Sequence, residues 1–191
     1  MYASDLDRAY DTASIILENN VHKSLNVIQT NPLLRERSFG KYDLKTPDEF
    51  VAAAKEAGYE DDRQYKPHNG EDDLDVMKRV EMFINILIKF SKYSKPLEDS
   101  NGRKGNQFLI VTHGGWIHRL VKYLTQHKVT CPSSKFDDEF KSYGDLSRKI
   151  NNASIFNLEL CIDVCSGELI SYSCTKCNST DHLIQMNTVL T

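Results

Sequence analysis

The segment from Phe108 to Leu124 constrains the fold of this chain more than any other. Its first part, Phe-Leu-Ile-Val-Thr-His, is apolar and rich in branched residues, which predicts a buried parallel strand that ends at His113. Two glycines follow, and the residues after them have the apolar spacing of an amphipathic helix. The segment therefore predicts a strand that passes directly into a helix, as in an open α/β sheet.

This junction between strand and helix is a predicted anion site. In an open α/β sheet, ligands bind beside the carboxyl ends of the strands, where unpaired N–H groups and the helix dipole favour negative charge. Gly114 and Gly115 let the backbone approach a ligand closely, and His113 can donate to a phosphoryl oxygen. The alternative is a histidine that merely ends a core strand, and the short pattern by itself does not decide between the two.

The composition favours one ordinary globular domain that spans residues 1–191. Of these residues 40% are hydrophobic and 27% are charged, which is enough apolar material for a core. A net charge of -3 provides no basic footprint for nucleic acid, and the apolar runs are too short to cross a bilayer. We therefore expect neither a nucleic-acid partner nor a membrane partner.

The cysteines indicate a reducing compartment, and hence a cytoplasmic protein. Their number is odd, and they lack the regular framework of a small secreted domain. Cys174 and Cys177 form a C-x-x-C with Cys161 and Cys165 upstream, which makes a zinc site conceivable. Because Cys161 and Cys165 are too far apart along one predicted strand for a compact zinc knuckle, we expect no metal.

Helices and strands alternate along the rest of the chain. Ser4 is a predicted cap for a helix that ends near Asn19-Asn20. Thr46, with Pro47 in the first turn, is a predicted cap for a helix that ends near Ala57. A long amphipathic helix is predicted from Asp72 to Tyr93. Short strands are predicted at residues 25–29, 154–161 and 169–174, with the last two joined through a turn at Ser166-Gly167.

Three segments together resemble the histidine phosphatase (phosphoglycerate mutase-like) superfamily. They are Ala3-Ser-Asp-Leu-Asp-Arg-Ala-Tyr-Asp-Thr-Ala13, Leu34-Arg-Glu-Arg-Ser-Phe-Gly40 and Val111-Thr-His-Gly-Gly115. Family members carry S-S-D-L-x-R-A-x-x-T-A, L-x-E-R-x-F-G and V-x-H-G-G in this order. The resemblance implies an α/β fold in three layers, helix, sheet and helix, with a mainly parallel sheet.

Within that superfamily the chain is most similar to the fructose-2,6-bisphosphatases of the TIGAR type. This similarity depends on Gly70-Glu71 before the long helix, Arg79 within it, Asn152-Ala-Ser, and Asp181-His-Leu near the end. It implies hydrolysis of a phosphomonoester on a small phosphorylated metabolite, fructose 2,6-bisphosphate to fructose 6-phosphate, with an effect on glycolytic flux. Phosphoglycerate mutase and acid phosphatase are rival activities in the same family.

The resemblance also assigns roles to individual residues. His113 corresponds to the electrophilic histidine of the phosphate pocket, Arg8 to an arginine that clamps the phosphate, and Glu36 to the acid that protonates the leaving oxygen. Arginine grips two phosphate oxygens at once, and a carboxyl group beside an anion can act as a general acid. Arg35 and Arg37 flank Glu36 and either hold it or meet the substrate. Gly114 is a further predicted substrate contact, and the positive groups make a cofactor or metal unnecessary.

One expected motif is absent from the sequence. The family begins with a strand that ends in R-H-G, which supplies the nucleophilic histidine and a second arginine, and no R-H-G occurs in the 191 residues. We therefore expect a domain truncated at its N-terminus, without the first strand and helix. Without that nucleophile the chain is expected to show little phosphoryl transfer. The alternative to a phosphatase is a catalytically dead phosphate-binding or interaction module.

Overall fold

The computed structural model describes residues 1–20, 27–98, 104–127, 129–130, 137–144, 148–163 and 165–183. The helices are α1 (Asp7–Glu18), α2 (Pro47–Glu56), α3 (Asp73–Tyr93), α4 (Gly114–His127) and α5 (Asp137–Lys141). The strands are β1 (Tyr2–Ala3), β2 (Gln29–Thr30), β3 (Leu97–Glu98), β4 (Lys104–Gly105), β5 (Ile110–Val111), β6 (Val129–Thr130), β7 (Ile155–Ile162) and β8 (Leu169–Ser179). Single turns of 3₁₀ helix lie at Pro32–Leu34 and Gly40–Tyr42.

Two compact units are distinguished by their contacts. The first contains residues 1–83 and 107–119, and the second contains residues 84–106 and 120–191. The prediction of a single domain over residues 1–191 stays a prediction.

The first unit is built on a parallel sheet in the order β2, β1, β5. Tyr2 pairs with Gln29 on one side and with Ile110 on the other, so the three strands end together at one edge. β1, α1 and β2 form a βαβ crossover, the connection that parallel strands require. The predicted α/β class with a mainly parallel sheet is confirmed. The buried apolar side chains of this unit come from β1, from the 3₁₀ turn Pro32–Leu34 and from α1, α2, α3 and α4: Ala3, Ala9, Ala13, Leu34, Phe50, Ala54, Val76, Val80, Phe83 and Trp116.

The second unit contains the sheet β6, β8, β7. β8 is parallel to β6 and antiparallel to β7, so the predicted strands at 154–161 and 169–174 do form a hairpin, with β8 longer than expected. An aromatic cluster packs on this sheet, with the rings of Phe140 and Tyr172 5.6 Å apart and those of Tyr143 and Phe156 5.6 Å apart.

Two helices agree closely with their sequence signals. α2 follows Thr46, whose Oγ1 accepts the Glu49 N–H at 3.3 Å while the Glu49 carboxylate accepts the Thr46 N–H at 2.9 Å. This is the reciprocal capping box, and it satisfies two of the N–H groups that a helix start leaves unpaired. α3 begins at Asp73 and ends at Tyr93, as the apolar spacing predicts.

Two predictions were wrong. α1 begins at Asp7 after Leu6, and Ser4 is not its cap: Oγ of Ser4 accepts the N–H of Leu6 at 3.3 Å, before the helix starts, and lies 2.9 Å from Nε2 of His113. The strand before His113 is parallel, but it is short and it is not buried. Leu109 is 36% exposed and β5 is half-buried, because among the described residues β5 pairs with β1 alone.

One further predicted strand is covered only in part by the described residues. Of the predicted strand at 25–29, residues 25 and 26 lie outside the described residues, residues 27 and 28 are not in a strand, and the structure has the strand at Gln29–Thr30. Across the described ranges, no helix has the length and apolar character needed to cross a membrane.

Candidate active site

His113 is the residue on which the site is centred. It lies between β5 and α4, and its carbonyl accepts the Ile117 N–H at 3.0 Å, which places it at the start of the helix. Its Nε2 is 2.9 Å from Oγ of Ser4, and both side chains are buried. Ser4 follows β1 as His113 follows β5, so the parallel pairing of the two strands brings the two residues together.

The environment of His113 keeps its imidazole neutral at pH 7. Burial lowers the pKa of His113 below its usual 6.5, and the positive charge of Arg8 lowers this pKa further. The charges of Glu36 and Asp5 act in the opposite direction, and that of Arg79 acts with Arg8. A phosphate dianion at this position would favour the imidazolium form, because an opposite charge stabilises the protonated histidine.

Glu36 reaches the same helix end from the loop between β2 and α2. Its Oε2 accepts the Gly115 N–H at 3.0 Å, and its Oε1 accepts the Arg37 N–H at 2.9 Å. The carboxylate therefore caps the first turn of α4, where the helix dipole favours negative charge. Beside Glu36 there is no space for a side chain at position 115, because a Cβ added to Gly115 would lie 2.1 Å from Oε1 of Glu36.

Arg8 remains open to solvent beside this centre. It lies in the first turn of α1, and its side chain is exposed. Across the described residues it forms no ion pair, yet its charge acts on the pKa of His113. An exposed guanidinium close to a buried histidine is suited to receive an anion.

Arg35 is paired within the protein. Its Nε and Nη2 donate to the two carboxylate oxygens of Asp5 at 2.7 and 2.6 Å, which is the two-pronged geometry that guanidinium and carboxylate favour. The hydrogen bond lowers the pKa of Asp5. Because the Arg35 side chain is 51% exposed, this pair lies at the surface of the site.

Arg37 lies elsewhere, in the packing of the loop. Its guanidinium donates to the main-chain carbonyls of Glu71 at 2.8 Å and Tyr65 at 2.7 Å, and it lies 5.2 Å from the ring centre of Phe39 and 5.1 Å from that of Phe50. Only 6% of the residue is exposed. The contact between Arg37 and Glu36 is made by the main-chain N–H and not by the guanidinium.

The structure thus brings together Glu36, His113 and Gly114 at the first turn of α4, with Arg8 exposed nearby. It places Arg35 on Asp5 at the surface and Arg37 in the protein interior. Gly115, which the sequence places in the predicted anion site, donates its N–H to Glu36. Several other residues that hold this geometry were not predicted as site residues: Ser4, Glu71, Asp73, Arg79 and Arg119. Glu71 and Arg79 had a signal, because both contribute to the family resemblance. Asp73 and Arg119 had none, because an ion pair between two helices has no local pattern.

The described residues contain no group of three or more His, Cys, Asp or Glu side chains that could hold a metal ion. In that part of the chain Cys174 and Cys177 are buried, while Cys161 and Cys165 are exposed.

Comparison with known proteins identifies the family of the chain. A sequence model of the Histidine phosphatase superfamily (branch 1) matches residues 1–134. The chain is similar to fructose-2,6-bisphosphatase TIGAR B of Danio rerio, with 31% identity over 149 residues. That match covers 69% of this chain and 58% of the relative, so the chain spans somewhat more than half of the relative's length.

Solved structures of similar fold include two of mycobacterial glucosyl-3-phosphoglycerate phosphatase. The native form has a TM-score of 0.63 at 25% identity and covers 93% of this chain and 76% of its own. The complex with inorganic phosphate also has a TM-score of 0.63, at 23% identity, and covers 94% of this chain and 76% of its own. A structure described as mycobacterial hydrolase 1 has a TM-score of 0.64 at 25% identity and covers 93% and 74%.

Proposed function

The chain belongs to the histidine phosphatase superfamily, branch 1, and we propose that it is a phosphatase that hydrolyses a phosphomonoester of a small phosphorylated metabolite. One observation carries the proposal: His113 and Glu36 converge on the first turn of α4, where main-chain N–H groups and the helix dipole favour an anion.

The proposed roles are those that the family resemblance implies, and the position of each side chain supports them. Arg8 is exposed and clamps the phosphoryl oxygens. His113 becomes protonated beside the bound dianion and donates to it, because the negative charge offsets the burial that keeps the imidazole neutral in the free protein. Glu36 lies at the same helix end and, in its protonated form, gives a proton to the leaving oxygen. The attack on phosphorus would be made by the R-H-G histidine that the family resemblance implies, which the 191 residues do not contain. Gly114, the first residue of α4, lets the phosphate approach the main chain.

We propose fructose 2,6-bisphosphate as the substrate. Support comes from the relative named fructose-2,6-bisphosphatase TIGAR B, which is 31% identical over 149 residues. The surface position of Arg35 agrees with this substrate, since a second phosphate at the rim of the site would compete with Asp5 for its guanidinium. A role in glycolytic flux and a cytoplasmic location belong to the same proposal.

A phosphate-binding module without catalysis is the second candidate. The family resemblance implies a nucleophilic histidine in an R-H-G motif, and the 191 residues contain no R-H-G. Covalent phosphoryl transfer needs such a nucleophile. A chain that keeps only the remaining groups would bind phosphate without turning it over.

The test is phosphate release by the protein purified from its own cells, with its intact mass compared with 21.9 kDa. Fructose 2,6-bisphosphate, 3-phosphoglycerate and p-nitrophenyl phosphate are the substrates to compare. We expect release from fructose 2,6-bisphosphate and its loss by orders of magnitude in H113A. Binding of inorganic phosphate without release from any of the three would contradict the phosphatase and support the binding module.

A further inference from the structure

The loop that carries Glu36 is held by side chains that reach its main-chain carbonyls. Arg79 Nη1 donates to the carbonyls of Leu33 and Arg35, both at 2.9 Å, and its Nη2 lies 3.5 Å from the carbonyl of Glu36. Between these contacts, the Leu34 carbonyl accepts the hydroxyl of Thr112 at 2.7 Å. The segment 33–36 is therefore fixed from α3 and from the residue that follows β5.

Arg79 is itself oriented by Glu71. Its Nε and Nη2 donate to Oε1 and Oε2 of Glu71 at 2.7 and 2.8 Å. Glu71 also accepts the Ser38 N–H at 3.0 Å, and its own N–H donates to the Ser38 carbonyl at 2.9 Å. The Glu71–Arg79 pair thus forms hydrogen bonds with the main chain on both sides of Glu36. The Glu71 side chain is 23% exposed and the Arg79 side chain 15%.

The hydrogen bonds of Arg79 within the protein use all of its N–H donors. A guanidinium has five N–H donors. The five contacts of Arg79, to two oxygens of Glu71 and to the carbonyls of Leu33, Arg35 and Glu36, use all five. Arg79 therefore has no donor left for a phosphate, in contrast to Arg8.

We propose that Arg79, oriented by Glu71, is a positioning residue that fixes Glu36 against the first turn of α4. Its catalytic consequence rests on the proposed function, in which Glu36 is the proton donor. A glutamate has three rotatable side-chain bonds, so its carboxylate keeps one place only when its main chain is fixed and its oxygens have partners. Displacement of a reacting group by about 1 Å can cost on the order of 100-fold in rate.

The first readout is independent of turnover. The Gly115 amide donates to Glu36, so its chemical shift and its hydrogen-exchange protection in NMR spectra report the position of the Glu36 carboxylate. E36A provides the reference spectrum in which this hydrogen bond is missing. We expect R79K to shift the Gly115 amide toward the E36A spectrum and to lower its protection, because a lysine cannot replace five donors in a planar fork.

Two substitutions of Arg79 separate the effect of its positive charge from its effect on the position of Glu36. R79K keeps the positive charge, so the pKa of His113 should change little, while R79M removes a charge that lowers this pKa and should raise it. R148K is the matched control: Arg148 pairs with Glu139 at 3.0 Å, and both residues belong to the second unit, whereas Glu36, Arg79 and Gly115 belong to the first. It should leave the Gly115 amide unchanged. If R79K does not fold, E71Q gives the same test with a smaller change.

The second readout is kinetic and uses a double-mutant cycle. If Arg79 acts through Glu36, R79K should lower kcat by about 10- to 100-fold with little change in KM, and should cost nothing more in the E36A background. A wild-type Gly115 amide in folded R79K and E71Q would overturn the positioning role. Absence of turnover in the wild-type protein would overturn the proposed function instead, while the Gly115 readout still decides the role of Arg79.

Discussion

Oε2 of Glu36 accepts the main-chain N–H of Gly115 at 3.0 Å, so a carboxylate from a distant loop caps the first turn of α4. A helix start leaves N–H groups without partners inside the helix, and these attract anions. Glu36 accepts a hydrogen bond from one of these N–H groups. The same contact makes Gly115 the most sensitive position for testing the role of Glu36.

G115A should separate stability from function. The new Cβ would lie 2.1 Å from Oε1 of Glu36, and the carboxyl group, as the end of a flexible side chain, can rotate away. Alanine in a helix is about 0.5–1 kcal/mol better than glycine, so the free energy of unfolding should hardly fall. Phosphate release should fall at least tenfold. G105A is the control, because no described atom lies within 4 Å of a Cβ added there. Full activity in G115A would contradict the role of Glu36.

His113 should make stability depend on pH. Its pKa in the folded protein lies below the usual 6.5, so the unfolded chain takes up a proton at higher pH than the folded protein does. The free energy of unfolding should therefore be highest above pH 6.5, fall as the pH decreases through 6.5, and level off below the folded pKa. Urea titrations between about pH 5 and pH 8 measure this, and H113Q should give a flatter curve. Equal slopes for the two proteins would show that His113 is not the group responsible.

The Asp73–Arg119 ion pair should matter for stability more than any surface pair. Nε of Arg119 donates to Oδ1 of Asp73 at 3.0 Å, Nη2 also donates to this oxygen, and Nη1 donates to the Gly115 carbonyl at 3.2 Å. The Arg119 side chain is 8% exposed and the Asp73 side chain 10%. D73N leaves a buried guanidinium without its counter-charge and should cost about 3–5 kcal/mol in the free energy of unfolding.

K66M is the control for this experiment. It removes the Lys66–Asp75 pair, in which Lys66 is 54% exposed, and exposed pairs contribute little. Urea unfolding should therefore show a much smaller change for K66M than for D73N. A similar decrease in the free energy of unfolding for the two variants would mean that the buried Asp73–Arg119 pair contributes no more than an exposed pair.

The cysteines should react at different rates with a thiol-alkylating reagent. Cys161 and Cys165 are exposed, whereas Cys174 is fully buried and Cys177 is 8% exposed. A hydrogen bond with Cys174, together with burial, raises the pKa of the Cys177 thiol well above its usual value, which leaves little reactive thiolate. Among the four cysteines that the structure describes, peptide mass spectrometry after brief treatment at pH 8 should show label at Cys161 and Cys165 first. Equal labelling of Cys177 would contradict its burial, and urea-unfolded protein provides the reference.

The burial of Cys174 and Cys177 shows how tertiary pairing changes a local pattern. Side chains three residues apart on a regular strand point to opposite faces. In β8, Cys174 pairs with Leu158 and Lys176 with Asn157, so one extra residue lies at Thr175 and the strand bulges. The two thiols then form a hydrogen bond with each other, and both are buried. The sequence predicted this strand as far as Cys174, but not the bulge, which depends on the partner strand.

The sequence by itself determined the features that depend on neighbouring residues. The Thr46–Glu49 capping box, the apolar spacing of α3 and the glycines after His113 are local, so the start of α2, the extent of α3 and the junction with α4 were predictable. Three ordered motifs were enough to indicate the family, and through it Glu36 and His113.

Only the tertiary structure decided what each charged side chain contacts. Arg8, Arg35, Arg37 and Arg79 are alike in the sequence, yet one is open to solvent, one binds Asp5, and two donate to main-chain carbonyls. The physical reason is that a guanidinium has five donors, and a buried one must find acceptors for them. Those acceptors come from segments dozens of residues away, so no local pattern reveals which arginine stays open to solvent and which one donates to the carbonyls of the loop that carries Glu36.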